Sequence, residues 1–141
     1  MKLGEDHKPM PHFIIEYSAN LDNELDISEF VRVIHEAALA TGIFPLKGIR
    51  TRAVRRDRYR IADGHPDNAF IHLLARIGHG RTLEIKKAGC QAIFNAATTH
   101  LAPLSDRMPL AISFEMQEMD PDLNFKSNNL PQWIERREAE R

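Results

Sequence analysis

A strand–helix–strand pattern that occurs twice in succession most restricts what this chain can fold into. Residues 12–17 are rich in β-branched and aromatic side chains and read as a strand. Asp26 followed by Glu29 resembles a capping box. Behind it Ile27, Phe30, Val31, Ile34, Ala38 and Thr41 recur at helical spacing, with Gly42 as a natural stop. Past Phe44-Pro45, residues 49–54 read as a second strand. The order then repeats. Residues 69–77 form an apolar strand between Gly64, Pro66 and Asp67 on one side and Gly78 and Gly80 on the other. Thr82 can cap a long helix reaching about Leu104, with Leu83, Ala88, Ala92, Ala96, Leu101 and Leu104 expected toward the core. Leu110, Ile112, Phe114 and Met116 then alternate with Ala111, Ser113, Glu115 and Gln117, the signature of a half-buried strand.

Parallel strands need a long crossover, usually a helix, and such units are right-handed. The expected class is therefore α/β (α+β): two β-α-β units forming one four-stranded mixed sheet, with two helices on one face. The opposite face is expected to be apolar, and a bare apolar face of that size marks an interface. An oligomer follows. Residues 1–10 show neither periodicity and read as a flexible extension or tag, ahead of a domain spanning 11–130. After Asp120-Pro121 the chain is polar, with Leu123, Phe125, Leu130 and Trp133 as anchors, and reads as an arm packed on a neighbour. Residues 131–141 read as a charged, frayed tail.

A length of 141 residues suits one domain, and 43% hydrophobic with 28% charged residues suits a soluble one. The net charge of −1 gives no global field to recruit nucleic acid or anionic lipid. Cys90 is the sole cysteine, so no internal disulfide framework exists and a reducing compartment fits. Inside a helical pattern it reads as a small core residue. No apolar run approaches the ~20 residues that span a bilayer, and Met1–Met10 lacks the apolar stretch of a secretory signal. The cytoplasm is the expected location, with neither membrane nor nucleic acid as partner.

Pro11 opens the first strand. At a mature amino terminus its secondary amine could act as a base or nucleophile; inside a chain it is a tertiary amide that does neither. Arg50 and Arg52 lie two apart on a strand and leave the same face. Their planar forks suit carboxylates or phosphates. Arg55, Arg56, Arg58 and Arg60 extend the basic character but are interrupted by acids and read as solvated surface. Gly78-His79-Gly80-Arg81-Thr82 joins a strand to a helix, where unpaired N–H groups favour anions and Arg81 adds a charge; a plain tight turn is the other reading. The seven histidines show no metal-ligand spacing, and His72 reads as a satisfied strand residue. No dinucleotide fingerprint is present, so neither metal nor nicotinamide chemistry is expected.

Pro11-His12-Phe13-Ile14, the run from Ala40 to Leu46, Gly48-Ile49-Arg50, Gly78-x-Gly80-Arg81, and Leu123-Asn124-Phe125-Lys126 with Asn128-Asn129 together resemble the 5-carboxymethyl-2-hydroxymuconate Δ-isomerases of the tautomerase superfamily. The resemblance covers about residues 11–130. It implies a double β-α-β subunit, a homotrimer, a small polycarboxylate substrate in homoprotocatechuate degradation, and cofactor-free catalysis by an amino-terminal proline. Pro11 matches the catalytic proline; Arg50 and Arg81 match substrate-binding arginines, and Arg52 falls on a further arginine position. The expected working form starts at Pro11, with Met10 as an initiator that is trimmed. Alternatives are a non-catalytic anion-binding trimer with a blocked proline, and a tautomerase for another enol or arylpyruvate.

Overall fold

The computed structural model describes residues 10–141, so the expectation for the leading segment falls, apart from Met10, outside the described residues. Strand β1 (His12–Ser18) leads through a short 3-10 turn (Ala19–Leu21) into helix α1 (Ile27–Ala40). Strand β2 (Arg50–Arg56) follows, then β3 (Ala69–Ile77), helix α2 (Leu83–Ser105) and β4 (Leu110–Glu118). A second 3-10 turn (Pro121–Leu123) precedes helix α3 (Leu130–Ala139). The sheet order is β2-β1-β3-β4. β1 and β2 are parallel, β1 and β3 antiparallel, and β3 and β4 parallel. This is the expected pair of β-α-β units joined back to back.

Local chemistry accounts for the helix limits. The Asp26 carboxylate accepts from the Glu29 backbone N–H at 3.0 Å, and the Thr82 hydroxyl accepts from that of Ile85 at 3.2 Å. Each satisfies one donor that a helix start leaves unpaired. α1 ends where Gly42 takes φ +75°, a conformation that glycine adopts without strain. Phe13, Ile15 and Tyr17 of β1 and Ile71, Leu73 and Ala75 of β3 point to the helical face, where they meet Phe30 and Ile34 of α1 and Ile93 and Leu101 of α2.

Four expectations need correction. The buried side of α2 is Gly89, Ile93, Ala97, Leu101 and Leu104; Leu83, Ala88 and Ala92 are exposed. Leu101 and Leu104 face the core as expected, whereas Ala88, Ala92 and Ala96 each lie one residue, about 100° around a helix, from the buried stripe. The inward-facing position 89 takes glycine because a Cβ there would sit 2.9 Å from Ile43 Cδ1. Second, residues 130–139 are helical rather than frayed, with a proline in the first turn, where its missing N–H costs nothing. Third, β2 extends two residues further than expected, to Arg56.

The fourth concerns the bare sheet face, which is largely polar. His12, Glu16, Arg50, Arg52, Arg56, His72, Arg76 and Glu115 occupy it, with Ile14, Val54, Phe70 and Leu74 among them. Large apolar side chains are exposed elsewhere, on Leu83 and Ile85 of α2 and on Leu123, Phe125 and Trp133 near the C-terminus. The apolar-face argument for an oligomer therefore fails, while the exposed arm retains its force. No helix among the described residues is long and apolar enough to cross a membrane.

Candidate active site

Pro11 is fully buried at the mouth of β1, and its carbonyl accepts the Arg50 backbone N–H at 3.1 Å. The parallel register then sets His12 beside Arg50 and Ile14 beside Arg52, while the antiparallel one sets His12 beside Arg76. Cross-strand partners share a face, so these basic side chains gather on the bare side of the sheet next to Pro11. Arg50 Nη2 lies 2.6 Å from His12 Nε2, and Arg52 Nη1 lies 3.0 Å from His12 Nδ1. Burial, then the charges of Arg50, Arg52 and Arg76, push the His12 imidazole from an ordinary 6.5 to about 4. The ring is therefore neutral at neutral pH. Arg50 is half-buried, its Nε has no hydrogen-bond partner, and burial with the neighbouring Arg52 charge lowers its proton affinity.

Acids separate these arginines from the two that end β2. Arg55 pairs with Asp22 and Asp57, and Arg56 pairs with Glu16. Among the described residues, no carboxylate forms an ion pair with Arg50, Arg52, Arg76 or Arg81. The expectation of solvated surface charge holds for Arg55, Arg56, Arg58 and Arg60, all of them exposed. Arg50 and Arg52 form an uncompensated cationic group beside Pro11, which is chemistry suited to a carboxylate.

Arg81 is held separately. Its Nη2 donates to the Ile43 carbonyl at 2.8 Å and its Nη1 to that of Gly78 at 3.2 Å, and the guanidinium lies 5.1 Å from the Phe44 ring centroid. Phe44 in turn meets Phe13 edge-on at 5.2 Å. Because Phe13 points to the helical side of β1 and His12 to the bare side, Arg81 and the Arg50–Arg52 pair approach the Pro11 end from opposite faces. Within one subunit the four expected residues thus form two groups around the start of β1. Burial lowers the proton affinity of Arg81, and the charge of Glu118 partly opposes this.

Two contributors were not predicted. His12 stands between Arg50 and Arg52, and the Ile43 carbonyl orients Arg81. The first has a sequence signal, since alternate arginines on one strand can face a single residue on a parallel neighbour. The second is a backbone group and has none. His72 is satisfied as expected, by Ser113 at 2.6 Å and Glu115 at 3.0 Å. Cys90 is half-buried against Met116, and burial raises its thiol above the ordinary value, so it is not a ready nucleophile. A cleft of about 790 Å³ between α2 and β4, lined by Leu83, Lys86, Phe94, Phe114 and Met116, contains none of the expected site residues.

Residues 11–134 match the family described as 5-carboxymethyl-2-hydroxymuconate isomerase. A 5-carboxymethyl-2-hydroxymuconate Delta-isomerase of Escherichia coli is 43% identical over 121 residues, covering 86% of this chain and 96% of that protein. Among solved structures, a 5-carboxymethyl-2-hydroxymuconate isomerase from Deinococcus radiodurans R1 superposes with a TM-score of 0.83 at 36% identity, covering 90% of this chain and 96% of that one. At the level of fold alone, a fused 4-OT symmetric trimer matches with a TM-score of 0.63 at 19% identity, over 83% of this chain and 94% of that one.

Proposed function

This chain belongs to the 5-carboxymethyl-2-hydroxymuconate isomerase family and is an isomerase, and on that premise we propose that it relocates a proton in 5-carboxymethyl-2-hydroxymuconate with Pro11 as the base. The single observation carrying this reading is the set of arginines without acidic partners beside the fully buried Pro11. The unit that acts is residues 11–130, starting at Pro11 with a free secondary amine. A peptide bond from Met10 would abolish the basicity.

The amine removes the 2-hydroxyl proton of the dienol. The oxygen lone pair becomes the C2=O bond, the double bonds shift along the chain, and the same proline returns a proton to C5. Atoms and charge balance without an added reagent. An ordinary α-amino group has a pKa near ~7.7–8.0, and cationic neighbours and desolvation both favour its neutral form. Arg50, Arg52 and Arg81 hold the carboxylates, of which this substrate has three, and stabilise charge growing on the 2-oxygen. The working assembly is a cytoplasmic homotrimer, a state supported by the trimeric fold relative, and the reaction belongs to homoprotocatechuate breakdown.

The test is ultraviolet spectroscopy of the dienol mixed with protein that begins at Pro11. Conversion should outrun the spontaneous reaction, and Pro11→Ala should remove most of the acceleration. No acceleration, or an alanine variant as fast as the parent, overturns the proposal. Intact-mass measurement of the native protein decides the start: a mass including residues 1–10 favours a non-catalytic, anion-binding relative.

A further inference from the structure

We propose that His12 is a positioning residue: its Nε2 holds the Arg50 guanidinium in place, and its Nδ1–H, which cannot accept from Arg52, leaves that fork free for a substrate carboxylate. The inference rests on the isomerase reading of this site and adds a residue to it.

The argument begins with proton counting. A neutral imidazole has one N–H donor and one acceptor nitrogen, whereas a guanidinium only donates. Here two guanidiniums reach the two nitrogens of one ring, at 2.6 Å and 3.0 Å. Only one approach can be a hydrogen bond. In the other, two donors face each other.

Burial decides which is which. Arg50 is half-buried with its Nε already unpartnered, while Arg52 is exposed and can turn to solvent. The shorter distance is also on the Arg50 side. Nε2 is thus the acceptor and Nδ1 carries the proton. A protonated ring would accept from neither arginine, and the crowding of cations around His12 keeps it neutral. Arg76 lies across the ladder from His12 and adds a further positive charge. The nearest acid along this face, Glu16, is already paired with Arg56. Arg52 therefore has a donor in front of it and no acid of its own, and an incoming carboxylate supplies the missing acceptor.

The experiment uses protein beginning at Pro11, with His12→Leu and His12→Gln. Glutamine offers one acceptor and one donor, as the neutral ring does; leucine offers neither. His12→Leu should raise KM for the dienol about tenfold with kcat changed less than about threefold, the pattern of a lost charged hydrogen bond that orients a binding group. It should weaken calorimetric binding of tricarballylate, an unreactive tricarboxylate, by a similar factor. His12→Gln should stay near the parent in both. Ring nitrogen-15 shifts of the parent protein should show the Nδ1–H tautomer.

An Nε2–H tautomer, unchanged KM and tricarballylate affinity in His12→Leu, or a glutamine variant as impaired as a folded leucine variant overturns the assignment. If His12→Leu does not fold, the tautomer and the His12→Gln measurements decide. Failure of the isomerase reading is distinct: the parent protein then gives no acceleration, while tricarballylate binding and the tautomer still test His12.

Discussion

The Arg81 guanidinium lies over the Phe44 ring, 5.1 Å from its centroid, while Nη2 donates to the carbonyl of the preceding residue, Ile43, at 2.8 Å. Two consecutive residues thus fix one cation, by its face and by its edge. A carboxylate arriving at Arg81 meets a fork that is already oriented, so little side-chain entropy is lost on binding.

Arg81→Lys tests that arrangement. Lysine keeps the charge but has neither the planar fork nor the stacking face. The expected loss is about 10- to 100-fold in kcat/KM, in keeping with ~1.4–2.7 kcal/mol of lost transition-state stabilisation. Chemical denaturation should show a stability change below about 1 kcal/mol. A lysine variant with parental kcat/KM would remove Arg81 from the site.

Arg52 and Arg56 stand on the same face of β2, but only Arg56 has an acid, Glu16 at 2.5 Å. Arg52→Gln should raise KM about tenfold, because a charged hydrogen bond to substrate is lost. Arg56→Gln should leave KM within about threefold and change stability by less than about 1 kcal/mol, as expected for an exposed ion pair. Steady-state kinetics of the two variants side by side checks this. Equal effects would mean that general surface charge, rather than the unpaired fork, governs binding.

How far the sequence foretold this arrangement differs between fold and site. Alternation in β4 and the caps at Asp26 and Thr82 carry their own chemical signals, so the elements and their order were readable. The buried face of α2 was misplaced because its inner stripe begins at Gly89, which has no side chain to register as apolar. α3 was missed because its charged residues give only a weak apolar face. Pro11, Arg50, Arg52 and Arg81 were identifiable as candidates. The His12 link depends on which residue of β2 lies opposite it, and the Arg81 seat depends on a main-chain oxygen. Alternate arginines hint at the first, but carbonyl direction is not written in side-chain identity.

Thr82 caps α2 and directly follows Arg81, so the cap and the site share a backbone. Its hydroxyl accepts the Ile85 N–H at 3.2 Å. Thr82→Ala should cost about 1 kcal/mol, the usual effect of losing such a cap. Thr82→Ser, which keeps the hydroxyl, should recover most of it. Urea unfolding of both variants provides the check, and an alanine variant as stable as the parent would show that the cap contributes nothing.

His12 gives the protein a stability slope with a defined sign. In the unfolded chain the ring titrates near its ordinary 6.5; in the folded protein, burial and then the surrounding arginine charges push it to about 4. Above 6.5 both states hold the ring neutral, and His12 makes no pH-dependent contribution. Between 6.5 and about 4 the unfolded state binds the extra proton, so His12 should progressively destabilise the fold as pH falls. Below about 4 both states are protonated and its contribution levels off. Solvent around the half-buried ring softens the size of the effect, so its direction and window are the prediction. His12→Gln cannot titrate and should lack this component. Urea unfolding at half-unit steps from pH 7.5 to pH 4, subtracting variant from parent, isolates it. A difference curve that is flat, or that rises toward acid, would mean that the folded ring accepts a proton as readily as the unfolded one, and the crowding of Arg50, Arg52 and Arg76 around it would then have no electrostatic consequence.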